Sequence, residues 1–186
     1  DAGNDITTGT QNTLIGGLAG DALTTGGSNV ALGYQALTTD TQGSSSVAIG
    51  RNTLIVQNFT SATDAFNVAV GDRAATAVTT GKYNTFIGGL AGDANTTASN
   101  NTAVGYSSLG ANTTGTSNAA VGYQALNANT TGVSNTAVGL LALSSATTAD
   151  NNVGIGTSAG ASLTTGPQNT AIGTFALDAA TTAANN

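Results

Sequence analysis

Cysteine, histidine, methionine, tryptophan and glutamate are all missing from this chain of 186 residues. Without thiols or imidazoles it lacks nucleophilic thiolates, imidazole bases and soft-metal sites, and the lack of cysteine leaves no redox compartment to infer. Charge is scarce as well: 6% of residues are charged, with nine aspartates set against Arg51, Arg73 and Lys82, for a net −6. Nucleic-acid binding needs a basic stripe to neutralise phosphates, so no such partner is expected. No apolar run reaches the ~18 residues of a membrane span, and Asp1 opens without a signal-like stretch, so membrane insertion is not expected either. The chain is instead rich in glycine, 26 residues, and in Thr, Asn, Ser and Ala, with 39% hydrophobic residues at strict intervals. That regularity argues for an ordered repeat protein rather than disorder.

The period is explicit. A motif N-x-A-[VIL]-G places its glycine at Gly16, Gly33, Gly50, Gly71, Gly88, Gly105, Gly122, Gly139, Gly156 and Gly173, with every step 17 residues except the 21 from Gly50 to Gly71. Fixed spacing of this kind is the signature of a solenoid. The expected fold is all-β: a parallel β-solenoid of about ten 17-residue coils, one domain over residues 1–186, with a four-residue insertion in the coil spanning 50–70, between Arg51 and Phe66. The chain starts and stops in mid-coil, and solenoids need polar caps, so a segment of a longer fibre protein is expected. Strands stacked ~4.8 Å apart make ten coils a rod of roughly 45–50 Å.

Each column of the repeat has an expected role. The residues before the glycine (Ile15, Leu32, Ile49, Val70 and their equivalents) are aliphatic and are expected to face the core, as are those two positions earlier, such as Thr13, Val30 and Val47. The alanines between them, Ala31, Ala48 and Ala69, would then face outward. Asn12, Asn29, Asn67 and their successors form a column able to bond the next coil. The motif glycines are expected where a Cβ would clash. After the glycine come pairs such as Ala36-Leu37 and Ala125-Leu126. If extended, these leave an apolar column outside; if bent, both side chains tuck in. Self-association is expected through the Ala31/Ala48/Ala69 column or the Leu37/Leu54/Leu109/Leu126 column.

Several motifs carry little. Gly16-Gly17-Leu18-Ala19-Gly20-Asp21 and Gly88-Gly89-Leu90-Ala91-Gly92-Asp93 approach a calcium β-roll motif, but the spacing is one residue long and most copies lack the Asp. Gly81-Lys82 lacks the rest of a phosphate loop. No aspartate recurs beside another reactive group, so no enzyme, cofactor or metal is expected. Thr24-Thr25, Thr79-Thr80, Thr96-Thr97 and later pairs raise ice binding as an alternative. Adjacent strand residues point to opposite faces, however, so one row would be displayed where a matching face needs two. Turn threonines bonding their own backbone is the plainer reading. Sequons at Asn58, Asn95, Asn100, Asn112 and Asn129 follow from composition, and no glycosylation is read from them.

Ser45-Ser46-Val47-Ala48-Ile49-Gly50 and Asn67-Val68-Ala69-Val70-Gly71 resemble the repeat of YadA-like heads in trimeric autotransporter adhesins. The nearly verbatim N-x-A-V-G-Y-Q-A-L run beginning at Asn118 is similar to repeats of phage-type tail fibres. The likeness covers essentially the whole chain, and its coil is longer, with T-T-G as the apparent extra. The resemblance implies a left-handed parallel β-roll, three chains side by side, an extracellular place on a virion tail fibre or bacterial surface, and binding to a host or surface.

Candidate binding residues fall into two sets. All three basic residues lie within 51–82, around the irregular coil, and insertions leave the stacked surface, so Arg51, Asp72, Arg73, Lys82 and Tyr83 are candidates. Arg51 and Asp72 follow successive motif glycines and are expected to pair. The same column holds Tyr34, Tyr106 and Tyr123, whose rings can offer a platform to a cell-surface glycan or other host receptor. The function expected is a structural or adhesive fibre segment, assembled as a homotrimer.

Overall fold

The computed structural model describes residues 1–186 and contains no helix. Ten three-residue strands form one parallel sheet: β1 (Thr13–Ile15), β2 (Val30–Leu32), β4 (Val47–Ile49), β6 (Val68–Val70), β7 (Thr85–Ile87), β8 (Thr102–Val104), β9 (Ala119–Val121), β10 (Thr136–Val138), β11 (Val153–Ile155) and β12 (Thr170–Ile172). Each pairs with the strand one coil on, in strict register, as with Thr136↔Val153 and Val138↔Ile155. Nine turns of a β-solenoid thus connect the first strand to the last, ~43 Å at the usual strand spacing. The offset is 21 only between β4 and β6, Val47↔Val68. Register is 17 as far as the Thr41 to Asn58 side-chain bond, while the Asn58 amide already reaches Thr79, so the extra residues fall just after Asn58. There β5 (Thr63–Asp64) pairs with β3 (Gly43–Ser44) as a small separate ladder, and Thr60, Ser61 and Ala62 are exposed.

The expected facing of the strands is reversed. The central residues, Ala31, Ala48, Ala69, Phe86, Ala103, Ala120 and Ala137, are completely buried. The aliphatic column before the glycine points outward, Ile15 at 58% and Val121 at 38% exposure, and the Thr13/Val30/Val47 column shares that outer side. The reason is volume. Opposite each strand the interior is already filled by Leu37, Leu54, Leu109, Leu126 and Leu143, all fully buried, leaving room for little more than a methyl group. Where the strand centre is larger, the opposing residue shrinks. A Cβ on Gly92 would strike the Phe86 ring, and one on Gly20 would strike the Leu14 side chain. Size therefore overrides β-branched preference in choosing the inner face.

The Ala-Leu pairs adopt the bent alternative, with Ala36, Leu37, Ala125 and Leu126 all inside. Left-handed corners two residues apart make this possible: φ is +56° at Gln35 and +53° at Leu37, and +52° at both Gln124 and Leu126. A third left-handed corner precedes the asparagine column, as at Ser28, Ser45 and Ser117. Each costs roughly 1–2 kcal/mol for an L-residue. Coil-to-coil bonds hold them, for example Leu126 N–H to the Ala142 carbonyl at 2.9 Å. The motif glycines answer a harder constraint, illustrated by Gly122: φ is +137°, and a Cβ there would be driven into the Gly139 carbonyl oxygen.

Two polar ladders run through the interior. In the first, Asn118 Nδ2 donates to the Gly132 carbonyl at 2.8 Å, while its Oδ1 accepts from the Asn135 backbone N–H at 2.9 Å. The pattern repeats from Asn12 to Asn169 wherever asparagine holds the position, and Ser46 takes its place in one coil. In the second, Asn129 donates to Asn112 and Asn112 to Asn95, both at 2.7 Å. These three sequon asparagines are therefore interior residues, whereas Asn100 is exposed and Asn58 half-buried. Asp40 and Gln57 hold the same column in the irregular region. The Asp40 carboxylate accepts from the Gly43 and Phe59 N–H groups, at 2.9 and 3.0 Å, and from Gln57 Nε2 at 2.7 Å.

Candidate functional site

The outer face of the ten-stranded sheet is the largest continuous feature the fold presents. Because residues two apart share a side, it carries two parallel rows. One comprises Thr13, Val30, Val47, Val68, Thr85, Thr102, Ala119, Thr136, Val153 and Thr170. The other comprises Ile15, Leu32, Ile49, Val70, Ile87, Val104, Val121, Val138, Ile155 and Ile172. None of these twenty side chains is charged. Every member of the second row is exposed or partly exposed. Period-two reasoning grouped the two rows correctly and assigned them to the wrong side. Columns proposed for self-association, Ala31/Ala48/Ala69 and Leu37/Leu54/Leu109/Leu126, are fully buried and unavailable for it.

The structure divides the eight candidate residues between the two edges of this face. Tyr34, Arg51, Asp72, Tyr106 and Tyr123 share the column after the motif glycine, and Arg73 stands next to it. Arg51 and Asp72 pair in two-pronged fashion, Nε to Oδ1 at 2.8 Å and Nη2 to Oδ2 at 3.1 Å, with Arg73 Nε 3.3 Å from Asp72 Oδ2. The hydrogen bond from Arg51 holds the Asp72 carboxyl below the usual carboxylate range and raises the guanidinium in turn. Both side chains are well exposed, so solvent screens the pair. Tyr106 and Tyr123 stack at 5.7 Å and 16°. The Tyr106 ring lies over Gly89, and the Tyr34 ring over Gly17, where a Cβ would touch them. These tyrosines line the coil edge with rings that stay about half exposed, Tyr34 at 54%, Tyr106 at 50% and Tyr123 at 48%.

Lys82 and Tyr83 lie at the opposite edge, just before the asparagine column. Lys82 Nζ sits 5.9 Å from the Tyr83 ring centre. Tyr83 stacks on Phe66 at 5.8 Å and 14°. Phe66 was not singled out from the sequence. Its signal is a column comparison: the equivalent positions hold Ser28, Ser45, Asn100, Ser117, Ser134 and Asn151.

The threonine pairs divide as opposite-facing neighbours should. The second of each, such as Thr97 or Thr114, is exposed, and the first is half-buried. The first does not bond its own backbone: Thr96 Oγ1 donates to the Thr113 carbonyl one coil on, at 3.0 Å, and Thr113 to Thr130 likewise. Asp21 and Asp93 end the glycine-rich stretches, burial pushes the Asp93 carboxyl up, and no group of three or more acidic side chains converges anywhere. No helix is long and apolar enough to cross a membrane. Compared with known proteins, the chain matches no family model, no curated protein and no solved structure.

Proposed function

We propose that this chain is a non-enzymatic, rod-like segment of an extracellular attachment fibre, of the virion tail-fibre or bacterial-surface type, assembled as a homotrimer through the outer face of its sheet. The observation that carries the reading is the uncharged outer face of the ten-stranded sheet, with one wholly aliphatic row beside a row of mixed threonine, valine and alanine. A patch of that extent and regularity calls for a protein partner. A second copy matches it in length and coil spacing, since both obey the same repeat. Resemblance of the repeat to trimeric adhesin heads and tail fibres supports three copies. Composition supports a structural role, because histidine, cysteine and glutamate are missing.

One observation favours a second reading. The outer face displays two uncharged rows on a regular lattice, one of mixed threonine, valine and alanine and one wholly aliphatic, so an ice-binding monomer would use these rows rather than the Thr-Thr pairs. Sedimentation velocity on the chain separates the two. A stable trimer that falls to monomer in Val121→Asp, with the circular dichroism of the wild type, supports the fibre; a monomer at high concentration overturns it. Thermal hysteresis from that monomer would establish the ice-binding reading.

A further inference from the structure

Three departures from the repeat meet at one corner of the rod. The four extra residues lift Thr60, Ser61 and Ala62 off the stacked surface. Just beyond them Phe66 and Tyr83 replace the small polar residues of their column, and the chain's one lysine, Lys82, stands alongside. Neither ring contributes to the core: Phe66 is 51% exposed and Tyr83 52%. Both also sit in left-handed backbone, φ +50° and +60°, where a bulky aromatic is disfavoured. The left-handed backbone belongs to the whole column, so what sets this corner apart is a pair of exposed, stacked rings where other coils carry Ser, Asn or Gln, and exposed aromatic rings offer an apolar face to a ligand.

We propose that this corner binds a neutral saccharide. Its chemistry is apolar at the centre and polar at both ends. One coil before Phe66, Ser45 Oγ bonds Asp64 Oδ1 at 3.1 Å; one coil after Tyr83 lies exposed Asn100. A pyranose has the same pattern, with a C–H face that packs on aromatic carbon and a rim of hydroxyls that both donate and accept. Asp64 and Lys82 carry opposite charges, which favours a neutral sugar over an acidic one. No enclosed cavity exists, so the ligand lies along the surface, as a chain of sugars on a cell envelope would. The inference deepens the attachment reading and rests on it for the partner's origin, while the site itself is defined by this chain alone.

The test is saturation-transfer NMR on the full chain with lactose, cellobiose and chitobiose as probes. Phe66→Ser and Tyr83→Ser are compared with Tyr123→Ser; serine occupies this left-handed column at Ser28, Ser45, Ser117 and Ser134, so the fold tolerates it. Binding of at least one probe by the wild type, weakened about tenfold in either corner variant and unchanged in Tyr123→Ser, is the expected result. No saturation transfer from the wild type to any probe, or equal transfer from the corner variants, overturns the proposal. Sedimentation of the same variants reads self-association separately, so loss of sugar binding with an intact trimer leaves the fibre reading standing.

Discussion

At the scale of the residue, the repeat is held by positions that tolerate one side chain for a stated geometric reason. Gly122 combines a φ of +137° with contact to the next coil's backbone. Gly122→Ala should therefore lose at least about 1–3 kcal/mol from backbone strain alone, before any clash, seen as a lower midpoint in a urea melt followed by circular dichroism. Asn118 serves three partners in the ladder. Asn118→Ala leaves the Asn135 N–H buried and unpaired, while the Gly132 carbonyl keeps its bond from Asn129 Nδ2 at 3.1 Å, at a cost of about 1–3 kcal/mol. A midpoint unchanged from wild type would mean that water replaces the amide. The charged groups act in opposite directions with pH. Asp72 has a lowered carboxyl, so its small contribution is present above the ordinary carboxylate range and lost as pH falls through its folded value. Asp93 has a raised one, so its contribution exists only at low pH and is lost as pH rises through its folded value. Asp93→Asn should then raise the melting temperature at pH 7 and leave it unchanged at pH 3.

At the scale of the element, each strand of the ten-stranded sheet is three residues long with one residue inside and two outside. The inside residue is small because a leucine from the left-handed corner reaches across to it; Phe86 with Gly92 is the exchanged version of Ala120 with Leu126. Charge placed on the two sides should have unlike consequences. Val121→Asp sits on the outer face and should leave the secondary structure intact while abolishing self-association. Leu126→Asp and Ala120→Asp bury an unpaired carboxylate and should unfold the affected coils, costing several kcal/mol. Size-exclusion chromatography with circular dichroism distinguishes the outcomes. A folded Leu126→Asp would contradict the packing described here.

At the scale of the whole molecule, coils contact only their neighbours, so stability is close to a sum of local terms and a lesion spreads one coil in each direction. The irregular coil breaks this uniformity. Its buried Asp40 is surrounded by three uncharged donors, two of them backbone N–H groups flanking the insertion. Asp40→Asn turns one acceptor into a donor facing other donors and should destabilise by about 1–3 kcal/mol. Hydrogen exchange should report the loss at Gly43 and Phe59 and leave coils beyond Asn118 protected; protection lost equally along the rod would mean that the solenoid unfolds as one unit.

The sequence alone determined the parallel solenoid, its period, the position of the insertion and the asparagine ladder. All of these follow from spacing, and spacing is a one-dimensional property. It also brought Arg51 to Asp72, since equal offsets from the motif glycine make residues neighbours along the rod. Which side of the strand faces inward was left to the tertiary structure. Alternation groups residues two apart without saying which group is inside, and the choice fell to the volume left by leucines at left-handed corners that local preference does not foresee. For the same reason the two outward rows emerged as surface. Phe66 and Tyr83 lie 17 residues apart, and only the stacking of coils brings their rings together beside the insertion.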